Sequence, residues 1–220
     1  NNSNRPHPVS ANSGACPYND LYIYQLGGKL ASHNEIPRSS FIGNWEEDDF
    51  SFLFFSDPVY DEIKVLLSAQ PQLTFIDSYH MPYEQWQGAE FAAFDQGCFQ
   101  IIPPWENGGQ GRPDKLPIIL DPGIVFGTGT HSTTRDCLDA VQLACRERAP
   151  DRVLDLGTGT GLLALAAARL GCRLNLAVDL NLLAAKTAKK NVGLNRLEKQ
   201  IAVVQGYAEA FIDCPADLLI

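Results

Sequence analysis

Asp155-Leu156-Gly157-Thr158-Gly159-Thr160-Gly161 follows the short apolar run Arg152-Val153-Leu154 and precedes an alanine-rich stretch from Leu162 to Leu170. The pattern predicts strand, glycine loop and helix. Alternate glycines let backbone pass close to a ligand, and the free N–H groups of the following helix favour negative charge. A dinucleotide fingerprint would require glycine three positions after Gly159, where Leu162 stands. The G-x-G-x-G spacing instead suits S-adenosylmethionine. Asp155, at the strand end, is a candidate partner for that cofactor's ammonium group, because a buried acid needs some partner.

One helix and a short turn further on, Leu176-Ala177-Val178 ends in Asp179. An acid at the end of a second strand can accept hydrogen bonds from both ribose hydroxyls of an adenosyl group. It can also cap the helix expected from Asn181 to Lys190. The loop and the acid, at the separation a doubly wound sheet would give them, favour ribose binding.

Upstream lies Asp121-Pro122-Gly123-Ile124-Val125-Phe126-Gly127-Thr128-Gly129-Thr130-His131-Ser132-Thr133-Thr134, then a helical stretch through Cys145 with Leu138, Val141 and Ala144 on one face. A loop this rich in glycine and hydroxyl groups offers donors to a carboxylate such as the methionine end of the cofactor. It is equally the composition of a capped turn.

This signature, with Ile101-Ile102-Pro103-Pro104-Trp105 before it and the glycine loop and Asp179 after it, resembles the family that methylates ribosomal protein L-eleven, the PrmA family. The resemblance runs from about Trp86 to the end and is loose before that. It implies a Rossmann-like class I methyltransferase domain preceded by a small α+β ferredoxin-like domain that grips the substrate. It also implies cofactor contacts at Thr134, Gly157 and Asp179, with Phe126, Gly127, Asp155 and Gly159 completing the expected binding set. Ser132 stands where the family has proline, and Ser can cap a helix start. A further family contact, an Asn after the fourth strand, is absent, since the chain stops at Asp217-Leu218-Leu219-Ile220. Strands near 153, 176, 202 and 218 are expected in the order three-two-one-four, so the sheet is expected to be truncated at its fourth strand.

The implied activity is transfer of methyl groups from S-adenosylmethionine to amino groups, lysine side chains or the N-terminus, of a basic ribosomal protein. The alternatives are a class I methyltransferase acting on another protein or a small molecule, and a non-catalytic interaction module. A dehydrogenase fails at Leu162. No general base is assigned: His131 lies in the signature loop, but a histidine near a helix start is commonly a hydrogen-bonding residue.

The domain reading is a polar segment at 1–20, a small α+β substrate-recognition unit at 21–82, a linker at 83–114 and the cofactor domain at 115–220. In the first unit, Leu21–Gln25, Ser51–Phe55 and Leu73–Asp77 read as strands. Asp57-Pro58 reads as the cap of a helix presenting Val59, Ile63, Leu66 and Leu67. Glu46-Glu47-Asp48-Asp49 reads as a solvated acidic turn or, less simply, a contact for a basic partner. Trp86, Phe91 and Phe94 fall at helix-like intervals, and 105–113 reads as an exposed loop.

Composition sets outer bounds. The chain has 220 residues, 45% hydrophobic and 20% charged, with net charge −9. That balance argues against a nucleic-acid surface and suits a basic protein partner. Six scattered cysteines form no C-x-x-C pair and have no metal-ligand spacing to the four histidines, so no metal is expected. There is no membrane-length apolar run and no signal-peptide core, and a cytoplasmic location is expected.

Overall fold

The computed structural model describes residues 16–32, 36, 39–88, 90–106 and 111–220. Most of the polar segment at 1–20 and the centre of the 105–113 loop lie outside these residues.

The N-terminal unit is an antiparallel sheet of β1 (Asp20–Gly27), β2 (Phe41–Glu47), β3 (Phe50–Phe55) and β4 (Thr74–Pro82), in the order β2-β3-β1-β4. Helix α1 (Tyr60–Ala69) crosses from β3 to β4, and β1 lies between those two parallel strands, which makes a split β-α-β unit. The strand order is that of a ferredoxin-like sheet. No helix joins β1 to β2 among the described residues of 28–40.

Alternation explains why this sheet is buried on both faces. Tyr24 and Leu26 of β1 with Leu53 and Phe55 of β3 face α1, where Ile63 and Leu66 meet them. Leu21 and Ile23 with Phe54 face the other way, onto Tyr83, Ile124 and Leu183. The acidic run at 46–49 is the tip of the β2–β3 hairpin, with Asp48 at φ 50°. It is exposed. Asp57 does not cap α1. Val59 occupies that position without a side-chain cap, its N–H donating to the Tyr24 hydroxyl at 2.9 Å, while Asp57 accepts from Ser56.

The expected linker helix is only α2 (Tyr83–Gln87), ended by Gly88 in the left-handed region. Beyond it the chain enters a second sheet of β5 (Phe94–Gln96), β6 (Phe99–Ile102) and β7 (Leu116–Ile119), in which β6 runs parallel to β7. The aromatic spacing that imitates a helix comes from burial of Phe91 in the main core and from Trp86 packing edge-on to Phe54. Trp105, expected in an exposed loop, is 9% exposed and packs against Phe91 and Tyr18. An indole of that size gains more from the core than from solvent.

Helix α3 (Ser132–Ala144) leads to β8 (Arg152–Leu156), α4 (Leu162–Arg169), β9 (Leu174–Asp179), α5 (Leu182–Leu194), β10 (Ile201–Gln205) and β11 (Leu218–Leu219). Leu138 and Val141 of α3 face the core as expected, but Ala144 is exposed. The four strands are parallel in the order β10-β9-β8-β11, the three-two-one-four arrangement. Ala164, Leu165, Ala166 and Ala167 are all fully buried, because α4 packs on both the sheet and α3 and only small side chains allow that approach.

Candidate functional site

The glycine loop sits at the switch point of the doubly wound sheet, where ligands bind at the carboxyl ends of strands. Its backbone is pinned to β9, with the N–H groups of Gly157 and Thr158 both donating to the Val178 carbonyl at 2.8 and 3.0 Å. The three glycines answer three different demands. A Cβ on Gly157 would meet nothing within 4 Å, so this residue, at φ 78°, borders open space. A Cβ on Gly159 would strike the Phe126 carbonyl, and one on Gly161 would crowd the backbone of Ala188 in α5. Gly157 therefore leaves room beside the loop, while the other two permit close packing.

Asp179 accepts from the Gly159 N–H through Oδ2 and from the Asn181 N–H through Oδ1, both at 2.9 Å. It does not cap α5. Asn181 does, accepting from Leu183 and Ala184. Each oxygen of Asp179 thus keeps lone-pair capacity for a further donor, which fits a ribose diol. Asp155 is 2% exposed and accepts from the Thr158 hydroxyl at 2.6 Å and from the Ala164 N–H in the first turn of α4. Burial pushes its carboxyl up to about 6 despite these donors, with nearby Asp179 adding to the rise. A carboxylate buried without a cation fits an incoming ammonium.

The signature loop wraps over the glycine loop. The Thr160 N–H donates to the Phe126 carbonyl at 3.2 Å, and its hydroxyl donates to the Gly127 carbonyl at 2.5 Å. Phe126 is 64% exposed beside the opening and lies 5.7 Å from the His131 ring. Thr134 is buried in the first turn of α3. His131, and not Ser132, caps that helix, with Nδ1 accepting from the Thr133 N–H at 3.3 Å; Ser132 occupies the first helical position, where proline would also fit. All seven expected binding residues, Phe126, Gly127, Thr134, Asp155, Gly157, Gly159 and Asp179, lie on these two loops, α3 and the ends of β8 and β9.

Leu180 and Tyr207, 55% and 66% exposed, border these residues and were not legible in the sequence as their neighbours. They follow β9 and β10 beside Asp179, where the Gly206 N–H donates to the Asp179 carbonyl at 2.9 Å. Exposed apolar side chains beside Asp179 are of a kind on which a flat ring can stack. The signal was an apolar residue directly after the acid.

A hollow of about 500 Å³ lies at the opposite ends of the strands between Arg148, Arg173 and Asp217. Two of the arginines that line it are engaged, Arg152 with Asp217 at 3.1 Å and Arg173 with Asp151 at 3.8 Å. No cluster of metal-ligating side chains and no helix long and apolar enough to cross a membrane occurs among the described residues.

A parallel sheet in this order, a glycine loop open at its first glycine and an acid closing the second strand define the class I methyltransferase fold. A solved ribosomal protein L11 methylase from Lactobacillus delbrueckii subsp. bulgaricus is 31% identical, with a TM-score of 0.51 over 59% of this chain and 65% of that one. Residues 79–220 match the model of the ribosomal protein L11 methyltransferase (PrmA) family, and the chain belongs to that family. Relatives named ribosomal protein L11 methyltransferase from Exiguobacterium sibiricum and Geobacillus kaustophilus are each 42% identical, over 54% and 56% of this chain. The matches cover 37% and 38% of those relatives, so the chain spans well under half their length.

Proposed function

We propose that this chain binds S-adenosylmethionine and forms the cofactor-holding part of a protein N-methyltransferase whose acceptor is a ribosomal protein, L11 in the first instance. The observation that carries the reading is the open space before Gly157, flanked by the half-engaged carboxylate of Asp179 and the buried carboxylate of Asp155.

In this reading Asp179 holds the ribose, Asp155 meets the ammonium, and Leu180 and Tyr207 flank the base. Phe126, Gly127 and Thr134 border the methionine end. The cofactor supplies an activated methyl on a sulfonium, so the protein's part is to align an amine with it and exclude water. Phe126, exposed at the opening, is placed to shield that line. The amine must arrive without its proton, which a dry pocket favours. His131 Nδ1 is committed to the helix cap, which leaves no base assigned.

Residues 21–82 serve as the substrate-recognition unit and 115–220 as the cofactor domain, and the surplus of acidic side chains suits a basic acceptor. A cytoplasmic location goes with a ribosomal substrate.

The test is calorimetric titration of S-adenosylmethionine, with NAD as control and Asp179→Ala alongside. Binding of the first ligand alone, lost in the variant, supports the reading. No binding to either moves the chain to an interaction module, and NAD binding makes it a nucleotide enzyme of another class.

A further inference from the structure

Two asparagines one turn apart, Asn191 in helix α5 and Asn195 at its C-cap, are 0% and 5% exposed. Each turns its amide toward the backbone leaving β7. Asn195 accepts from the Ile119 N–H at 3.0 Å and donates to the Ile119 carbonyl at 2.7 Å. Asn191 accepts from the Asp121 N–H at 2.8 Å and donates to the Asp121 carbonyl at 2.9 Å. Residues 119 and 121 are two apart, so their backbone groups point to the same edge, and the two amides take the place of a neighbouring strand. Only an amide side chain offers a neutral donor and acceptor together in this geometry.

The two asparagines then differ. Asn195 spends its remaining contacts on the Asn191 carbonyl and on Arg169, away from the ligand opening. Asn191 donates a second time, to the Thr160 carbonyl in the glycine loop at 2.9 Å. Thr160 is the residue that holds Phe126 and Gly127 through its own N–H and hydroxyl. Asn191 therefore touches the start of the signature segment directly and its middle through Thr160. The preceding residue reinforces the junction, as Lys190 Nζ lies 2.5 Å from the Asp121 carboxylate. Asparagine is a poor residue for the interior of a helix, so these tertiary bonds, and not α5 itself, account for its place there.

We propose that Asn191 is a positioning residue for the cofactor site: its side-chain amide ties the Asp121 turn to the glycine loop and so sets the spacing of Phe126 and Gly127 over Gly157. This rests on the cofactor reading above. Asn195, equally buried and equally bonded to β7, is its structural control.

The experiment compares Asn191→Ala, Asn191→Asp and Asn195→Ala in the same chain. Asn191→Asp keeps the size and the acceptor for the Asp121 N–H while losing both donated bonds, so it probes the site if the alanine variant folds poorly. Three quantities are read: the thermal midpoint, the Kd for S-adenosylmethionine, and amide hydrogen exchange of 121–134 and 157–162 without ligand. Both Asn191 variants are expected to raise Kd about tenfold or more, the scale of a lost buried hydrogen-bond pair, and to speed exchange in both loops. Asn195→Ala is expected to lower the midpoint comparably and leave Kd within about twofold, as for a site with no shared partner in the loop. Equal effects of Asn191→Ala and Asn195→Ala on Kd and exchange, or an unchanged Kd in the Asn191 variants, would overturn the proposal. If the unaltered chain binds no cofactor, the cofactor reading fails by itself. Exchange then decides the positioning role: faster exchange confined to the Asn191 variants upholds it, and parity with Asn195→Ala ends it.

Discussion

The Gly159 N–H donates to Oδ2 of Asp179 at 2.9 Å, joining two residues twenty positions apart at the ends of adjacent parallel strands. The loop and the acid are one unit, and disturbing either disturbs both. Asp179→Ala strands the N–H groups of Gly159 and Asn181, each of which loses a charged acceptor. The expected cost is about 2 kcal/mol of stability, accompanied by loss of detectable S-adenosylmethionine binding. Urea denaturation and calorimetry measure the two effects. A variant that binds as tightly as the parent would remove Asp179 from the site.

Asp155 gives the fold a pH signature. Burial pushes its carboxyl up to about 6 in the folded chain, above the ordinary carboxylate range near 4, so the folded state holds the proton more tightly than the unfolded one. Stability from this group is full below about 4, falls as pH rises through the interval, and is spent above about 6, with a total near 3 kcal/mol. Between pH 5 and pH 7.5 the loss is about 1 kcal/mol. Asp155→Asn, which keeps an acceptor for Thr158, is expected to abolish that slope while weakening the cofactor. Parallel stability curves for parent and variant across this range would show that the acid is not the source.

Gly157→Ala and Gly161→Ala separate ligand space from packing space. A methyl at 157 meets no protein atom, so the stability cost is about 1 kcal/mol, from the positive φ alone, while cofactor binding falls far more. A methyl at 161 presses on Ala188 at 3.1 Å and also sits at positive φ, and should lower the thermal midpoint the more of the two. Finding the reverse order of midpoints would contradict the assignment of the opening to Gly157.

Cys145 and Cys172, at the ends of α3 and α4, bring their sulfurs within 3.7 Å. Burial and the neighbouring thiol push Cys172 up to about 12. Treatment with diamide, which takes up the two electrons and two protons, is expected to link this pair ahead of the other four cysteines. The link should raise stability by about 3 kcal/mol. Peptide mapping under non-reducing conditions identifies it, and Cys145→Ser should abolish it.

What could be seen in the sequence was what local chemistry alone dictates. Gly157, Gly159 and Asp179 stand out because a strand-to-loop-to-helix turn leaves few options for residue type, and the parallel strands follow from short apolar runs at regular intervals. The exceptions have physical causes. Strand β2 lacks an apolar alternation because Phe41 packs on one face and Ile42 and Trp45 on the other, Gly43 makes room for Leu183, and Glu46 and Glu47 run out into solvent at the hairpin tip. The three residues of β5 are too few to show a period, and Phe91 and Phe94 imitate a helix by accident of spacing. His131, read as a hydrogen-bonding residue near a helix start, takes the cap of α3, a role for which Ser132 was the expected residue. The role of Asn191 was invisible, since nothing in the sequence states that Asp121 and Thr160 meet.

Gly43 in β2 has Leu183 of α5 lying against it, so that any side chain there would collide with the first turn of the helix that Asn181 caps beside Asp179. The two halves of the chain are thus fitted to each other at a point one short step from Asp179. A bulkier residue at 43 has to be answered by a shift of the Leu183 side chain or by a smaller residue at 183. Grafting this N-terminal sheet onto another methyltransferase core would therefore require carrying the start of α5 along with it.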